Sequence, residues 1–392
     1  MKSQNKHRAL FINSGILGHK SVAGLLKEST IRDSEIEAVH INLSEKLTTR
    51  ERAIRRMLCF QIPGSLKFSG SNIDLARWRH EFHSGWLAAS RIRASENNFD
   101  VLHFHTQATA YCSISRMKAV PSIVSIDCTQ GLAKLETNSR FKQATYLPNS
   151  IHDGLVFRAA KTIISTSQWA ANGVAREYPD CADKLAVMPY PVRLESFDRR
   201  WIAERYSHAS EAETGPIRVL FIGGDFLRKG GPELLAAWKE GDFHGRARLD
   251  LVTDWPVAES SLPRGVKVIK NIAPFTAEWL DLWQKADLFV MPTRGEAFGM
   301  VYQESAAAGV PAIGSRINAV PEIIEDKITG LLVAPGDIAG LARAMRELIG
   351  SADLRRRMGT AARKKVESGN CPDIYSEKLA ALIKRLASGK NA

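Results

Sequence analysis

The sequence predicts an α/β fold of two Rossmann-like domains whose parallel sheets face a central cleft. Three observations predict it. Short apolar strand-like runs, each followed by a helix-like segment, recur along both halves of the chain. A polar stretch from Asp198 to Pro216, ending in Glu-Ala-Glu-Thr-Gly-Pro, separates the halves, and Ile217 to Ile222 then starts a fresh strand. The length, 392 residues, is too great for one ordinary α/β domain and suits two, each able to bury its own core. Domains over residues 1–198 and 199–370 follow, with a last helix in 371–392 expected to cross back to the first domain.

In the first half the strands are Ala9 to Asn13, Val101 to His105, Ser122 to Ile126 and Thr162 to Ser165. Gly15 and Gly18 follow the first strand in the turn NSGILGHK, a weak signal for a loop that lets backbone approach a phosphate. In VLHFH the alternation of a strand puts His103 and His105 on one face. Two histidines on one face can bind metal, but no third ligand stands nearby in sequence, and packed or hydrogen-bonded histidines are commoner. His105 closes its strand at the carboxyl edge, where ligands of open α/β sheets collect, and Asp127 closes SIVSID at the equivalent place. For Asp127 a helix-capping or turn role is an equal alternative.

In the second half, Arg218 to Ile222 leads into FIGGDFLRKGGPELLAAW, a strand, a Gly-rich turn, a basic pair and a helix from Pro232 to Lys239. Gly223 and Gly224 leave room for a ligand beside the backbone, while Arg228 and Lys229 stand just ahead of a helix start, a place suited to a diphosphate. A tight turn with solvated charges is the bland alternative. After the strand Leu249 to Val252 and the helix Thr276 to Lys285, the apolar run Ala286 to Met291 ends at Pro292 and GEAFGMVYQESAAAG follows, a loop entering a helix. Glu296 lies in the loop and Glu304 inside the helix. Free N–H groups at such a helix start favour an anion, and the two carboxylates, which repel one, offer paired acceptors to vicinal diols. A ligand with a phosphate and two sets of sugar hydroxyls meets all of these demands.

A hydrophobic fraction of 44% and a charged fraction of 24% are those of a folded globular chain. The net charge is +12, and nine basic residues against three acidic ones between Arg50 and Arg93 supply half of it. Leu75, Trp78, Phe82 and Trp86 there fall at helical spacing, as do Ile54, Met57 and Leu58. Basic amphipathic helices with tryptophan suit an anionic membrane surface, although their apolar faces also suit a core. The charge alone would also suit nucleic acid, but no nucleic-acid module is recognisable, and paired glutamates in a cleft would repel its phosphates. Five scattered cysteines without a CxxC pair fit a reducing compartment. The first apolar run is too short for a signal peptide and no run approaches a membrane span, so a cytoplasmic protein is expected.

With these motifs the chain resembles glycosyltransferase family 4 (group 1), retaining enzymes of the GT-B fold that move a sugar from a nucleotide-sugar donor. The resemblance covers almost the whole chain. Glu296 and Glu304 match the family's paired glutamates, with seven residues between them, KGG at Lys229 matches its diphosphate lysine, and VLHFH its His-x-His strand. Met188 to Phe197 is similar to the segment joining the two domains, and Pro321 to Asp337 to a stretch late in the donor domain. The resemblance implies that the first domain binds the acceptor and the second the donor. It makes His105 and Glu296 catalytic, with Glu296 on the donor sugar's hydroxyls and Glu304 on the ribose. The backbone of Ala297, Phe298, Gly299 and Met300 would cradle sugar and phosphate, beside Gly223, Arg228 and Lys229.

Two departures stand out. Gly224 occupies the place where the family often has arginine, which leaves Arg228 to substitute for it, and the usual glycine doublet of the first loop is absent, leaving Gly15, Gly18 and Asp127 as the acceptor or phosphate loop. The chain also lacks two aspartates two residues apart, so cationic side chains, with no cofactor and no divalent metal, are expected to neutralise the diphosphate. The reading is a transferase of polysaccharide, lipopolysaccharide or glycolipid synthesis. Its acceptor is a sugar or a lipid-linked sugar, and its place is the cytoplasm or the inner face of a membrane. A GT-B epimerase or phosphorylase is the alternative.

Overall fold

The computed structural model describes residues 6–15, 19–60, 67–68, 71–72, 75–95, 98–137, 139–207 and 215–389. The chain divides into two compact units. One contains Met1–Tyr190 together with Asp373–Ala392, the other Pro191–Pro372. The division falls ahead of the polar run at Asp198, which lies inside the second unit.

Unit 1 is built on six parallel strands, β1 His7–Asn13, β2 Ile36–Asn42, β3 Val101–His105, β4 Ser122–Ile126, β5 Thr162–Ser165 and β6 Leu185–Val187, in the order β2-β1-β3-β4-β5-β6. β1 from Ala9 to its end at Asn13, and all of β3 and β4, are buried, as expected for strands with helices on both faces. The sequence reading missed β2 and β6, which are the two edge strands. The helices used below are α1 Thr49–Leu58, α2 Ala76–Ala94, α3 Gln130–Leu135, α4 Arg140–Ala144, α5 Leu147–Ala159 and α6 Gln168–Glu177. Thr48 and Glu51 start α1 with a reciprocal capping box.

Unit 2 repeats the plan with β7 Ile217–Ile222, β8 Ala247–Val252, β9 Val266–Ile269, β10 Leu288–Met291, β11 Ala312–Ser315 and β12 Gly330–Val333, in the order β9-β8-β7-β10-β11-β12. All its pairings are parallel. Its helices include α7 Gly231–Gly241, α8 Ala277–Lys285 and α9 Met300–Ala307. Trp279 and Trp283, one turn apart on α8, are fully buried, and truncating either costs about 3–5 kcal/mol. The last helix, α10 Pro372–Ala387, belongs almost wholly to unit 1, where Lys384 pairs with Asp33 at 2.8 Å and Glu35 at 2.5 Å.

In each sheet the strand order reverses once, between β1 and β3 in unit 1 and between β7 and β10 in unit 2. The loops leaving those strands diverge there and open a crevice at the carboxyl edge. The glycine-rich turn 223–230 and the loop 292–299 flank that point in unit 2. His105 and Gly15 flank it in unit 1.

Candidate active site

The two unit 2 loops are tied together by backbone that only glycine permits. Gly230 caps α7 with φ +80°, and a Cβ there would lie 2.0 Å from the Pro292 carbonyl oxygen. Gly299 caps α9 with φ +93°, where a Cβ would press on Tyr302 at 2.8 Å and on Glu296 at 3.2 Å. The buried Tyr302 hydroxyl donates to the Met291 carbonyl at 2.5 Å, pinning α9 to the end of β10. The Arg294 amide donates to the Arg228 carbonyl at 2.8 Å, and the Thr293 hydroxyl donates to the Gly295 carbonyl at 2.9 Å. Sequence reasoning gave no role to Thr293 or Tyr302, because both act through backbone.

On that frame Lys229 and Glu296 form an ion pair, with side chains only 16% and 11% exposed. A partly desolvated pair like this is worth more than a surface pair, and breaking it by removing one partner strands the other charge. Glu304 stands near enough for the Lys229 charge to favour its ionised form, yet burial dominates and pushes its carboxyl up to about 7. Arg228 is also engaged. Its Nε meets Asp225 at 3.1 Å and its Nη1 donates to the Gly295 carbonyl at 2.5 Å. A Cβ added at Gly224 would meet nothing within 4 Å, whereas one at Gly223 would touch Phe221 and Lys229. Phe298 and Gly299 are buried, while Ala297 and Met300 are half-buried. The structure thus brings Gly223, Arg228, Lys229, Glu296 and the 297–300 backbone to one crevice, with Glu304 a turn into α9.

In unit 1, His105 is buried at the end of β3 with its Nε2 2.7 Å from the Tyr190 hydroxyl, a partner 85 residues away that sequence reasoning missed. Burial first, and then the Asp127 carboxylate, hold the Tyr190 phenol well above its ordinary range. Asp127 is not the N-cap of the following helix, so the capping half of its alternative does not hold. The cap of α3 is Thr129, whose oxygen accepts from the Leu132 amide at 3.0 Å. His103 packs on Phe11 and lies 2.8 Å from the Ser125 hydroxyl, and burial drives its imidazole down to about 3, so it is neutral at ordinary pH. Gly15 has φ +66° with Ser44 against it, and Gly18 lies outside the described residues. Among the described residues no group of three or more His, Cys, Asp or Glu side chains is placed to hold a metal ion.

A buried network underlies the same edge of unit 1. The Asp153 carboxylate, fully buried on α5, accepts from the Tyr111 hydroxyl at 2.7 Å and from the Gln130 amide at 3.3 Å. Tyr111 also lies 3.1 Å from Glu81 on α2, which accepts from Asn149 at 2.6 Å and from Gln130 at 2.9 Å. One phenolic proton cannot serve two carboxylates at once. Burial, reinforced by the Glu81 charge, holds Asp153 well above the carboxylate range, so the cluster keeps an extra proton.

The sequence profile of the Glycosyl transferases group 1 family matches residues 204–365. Over 167 residues the chain is 30% identical to the glycogen synthase of Mycobacterium tuberculosis, a stretch covering 41% of this chain and 40% of that enzyme. The chain therefore spans about two fifths of the length of that curated relative. Its fold is similar to that of sucrose-phosphate synthase from Thermosynechococcus elongatus, with TM-score 0.74 and 16% identity over 98% of this chain and all of the other. It is also similar to that of Anabaena HepE in complex with UDP-glucose, with TM-score 0.67 and 16% identity over 96% of this chain and 99% of the other. The chain has the GT-B fold, and the segment that carries the two loops of unit 2 is the one that matches the group 1 glycosyltransferase profile.

Proposed function

We propose that the chain is a glycosyltransferase that moves a sugar from a nucleotide-sugar donor to an acceptor with retention of configuration. The observation that carries this reading is the Lys229–Glu296 ion pair at the switch point of unit 2, beside Glu304. A donor that carries both diphosphate and sugar can exchange that pair without loss: Lys229 turns to phosphate while sugar hydroxyls donate to Glu296. The free nucleotide offers Lys229 a phosphate but leaves Glu296 without a partner. Glu304 takes the ribose hydroxyls, and Arg228 adds charge once it leaves Asp225. No divalent metal is required, because these two cations stabilise the departing diphosphate.

Retention follows from an acceptor attacking on the face from which the diphosphate departs, with His105 and Asp127 on the acceptor side. UDP-glucose is the first donor to test, since the Anabaena protein of similar fold was solved with it. Polysaccharide, lipopolysaccharide or glycolipid synthesis is the proposed setting, in the cytoplasm. The partners are a sugar or lipid-linked acceptor and the anionic inner face of a membrane, not nucleic acid. No helix among the described residues is long and apolar enough to cross a membrane. Free nucleoside diphosphate released from UDP-, GDP- and ADP-sugars, with and without simple glycosides or lipid extract, tests the reading. Acceptor-dependent release of diphosphate supports a transferase. Release or sugar inversion without any acceptor favours the epimerase reading.

A further inference from the structure

Among the described residues eleven large hydrophobic side chains are exposed, and five of them, Leu135, Phe141, Leu147, Ile151 and Leu155, lie within residues 135–155 at 48–63% exposure. Three of these stand one turn apart along α5. The inward side of α5 buries Val156 and Phe157 beside Asn149 and Asp153, so the outward stripe is the more apolar of the two, where a surface helix ordinarily turns polar side chains outward. A groove of about 740 Å³ between α3, α5 and α6 opens beside this stripe, lined by Leu135, Ile151 and Leu155 together with Lys134, Arg158, Arg176 and Glu177.

The charge around the stripe is mainly basic, although in the groove Arg176 pairs with Glu177 at 3.4 Å and Arg158 with Asp180 at 2.6 Å. No ion pair of Lys134, Arg140 or Lys142 is found among the described residues, and Glu136 is the one exposed carboxylate among the described residues of 134–158. The face also continues toward the basic helices. Arg77 at the start of α2 lies over the ring of Tyr146, the buried residue just ahead of α5, and Arg79 lies over the ring of the half-exposed Phe60. By contrast, Trp78 and Trp86, marked by the sequence as interfacial, are only partly exposed. Trp78 packs on Phe82 and His152, and Trp86 on His83.

We infer that the α3–α5 face, rather than the tryptophans of α2, is the surface that lies in an anionic bilayer. Its aliphatic side chains enter the headgroup boundary and its cations meet lipid phosphates, the division of labour of an in-plane interfacial helix. A second copy of the chain is the poorer occupant, because a two-fold axis through Ile151 would set Arg140 and Lys142 near their own equivalents. The inference rests on the membrane partner proposed above and names the face that meets it.

The test is flotation of the full chain with phosphatidylcholine vesicles, with and without phosphatidylglycerol. The variants are Leu147→Ser/Ile151→Ser/Leu155→Ser, Arg140→Gln/Lys142→Gln and, on α1, Arg55→Gln/Arg56→Gln. The wild type is expected to float only with anionic vesicles. The triple serine variant should lose about tenfold or more of that binding while keeping the wild-type melting temperature, because the replaced side chains are exposed. The α4 charge pair should weaken binding mainly at low salt, and the α1 pair much less. A triple variant that floats as the wild type does overturns the assignment of the face while leaving a membrane partner standing. A wild type that ignores anionic vesicles overturns both. A wild-type dimer that the triple variant makes monomeric, with flotation unchanged, shows the face to be a contact between copies or with a protein, and also overturns the inference.

Discussion

Replacing Glu304 with Gln should stabilise the free protein at alkaline pH although it removes a donor contact. Burial raises the Glu304 carboxyl from an ordinary 4.5 to about 7. Between those values the unfolded chain has released the proton that the folded chain still holds. Stability contributed by this residue therefore falls as pH rises from 4.5 to 7 and stays reduced above it. At 1.36 kcal/mol per pH unit the full cost is about 3 kcal/mol. Glu304 keeps some contact with solvent, so about 1–2 kcal/mol is the expected size. Glutamine preserves the shape without the charge. Urea denaturation of both proteins at pH 5 and pH 8 gives the difference directly. The Gln variant should be near wild type at pH 5 and gain about 1–2 kcal/mol on it at pH 8. An equal difference at both values, or a variant that loses ground at pH 8, would refute the argument that Glu304 is ionised at a cost in the free protein.

Three further outcomes follow from the geometry. Asp153→Asn should hold within about 1 kcal/mol of wild-type stability at pH 5 and gain on it toward pH 8, since the amide mimics the protonated acid; Asp153→Ala, which leaves the Gln130 amide without its acceptor and takes from Tyr111 its 2.7 Å partner, should cost about 1–3 kcal/mol in thermal denaturation at either pH. Tyr190→Phe deprives His105 of its 2.7 Å partner and should lower unfolding free energy by about 1–2 kcal/mol in urea, with less effect on turnover than His105→Ala. Exhaustive chelation should leave acceptor-dependent turnover in place, because Lys229 and Arg228 carry the diphosphate charge, and complete loss restored only by added metal would contradict this.

Much of the architecture was legible because parallel strands at the centre of a sheet are buried on both faces and read as apolar runs. Val101–His105 and Leu288–Met291 are such strands. Ile36–Asn42 was not legible, since an edge strand tolerates Glu37 and His40 and loses the pattern. Within the site, the loop glutamate, the helix glutamate and the basic pair announced themselves by local chemistry. Their pairing did not, because Lys229 and Glu296 meet across 67 residues through a switch point that only strand order defines. The Tyr190 contact with His105 and the Asp153 network were hidden for the same reason. The stripe of Leu147, Ile151 and Leu155 was illegible in another way: helical periodicity marks an apolar face without saying whether that face looks inward.

The central claim is that the crevice of unit 2 binds a nucleotide sugar through Lys229, Glu296 and Glu304. Calorimetric titration of UDP, GDP, ADP and their sugars into the wild type and the Lys229→Ala, Glu304→Ala and Glu296→Ala variants tests it most directly. One nucleotide should bind the wild type, with its sugar bound more tightly than the bare diphosphate. Lys229→Ala and Glu304→Ala should each weaken both ligands about tenfold or more. Glu296→Ala, which frees Lys229, should bind the bare diphosphate at least as tightly as the wild type and lose only the preference for the sugar. Failure of every nucleotide to bind, or equal losses of the bare diphosphate in the Glu296 and Glu304 variants, would contradict the account.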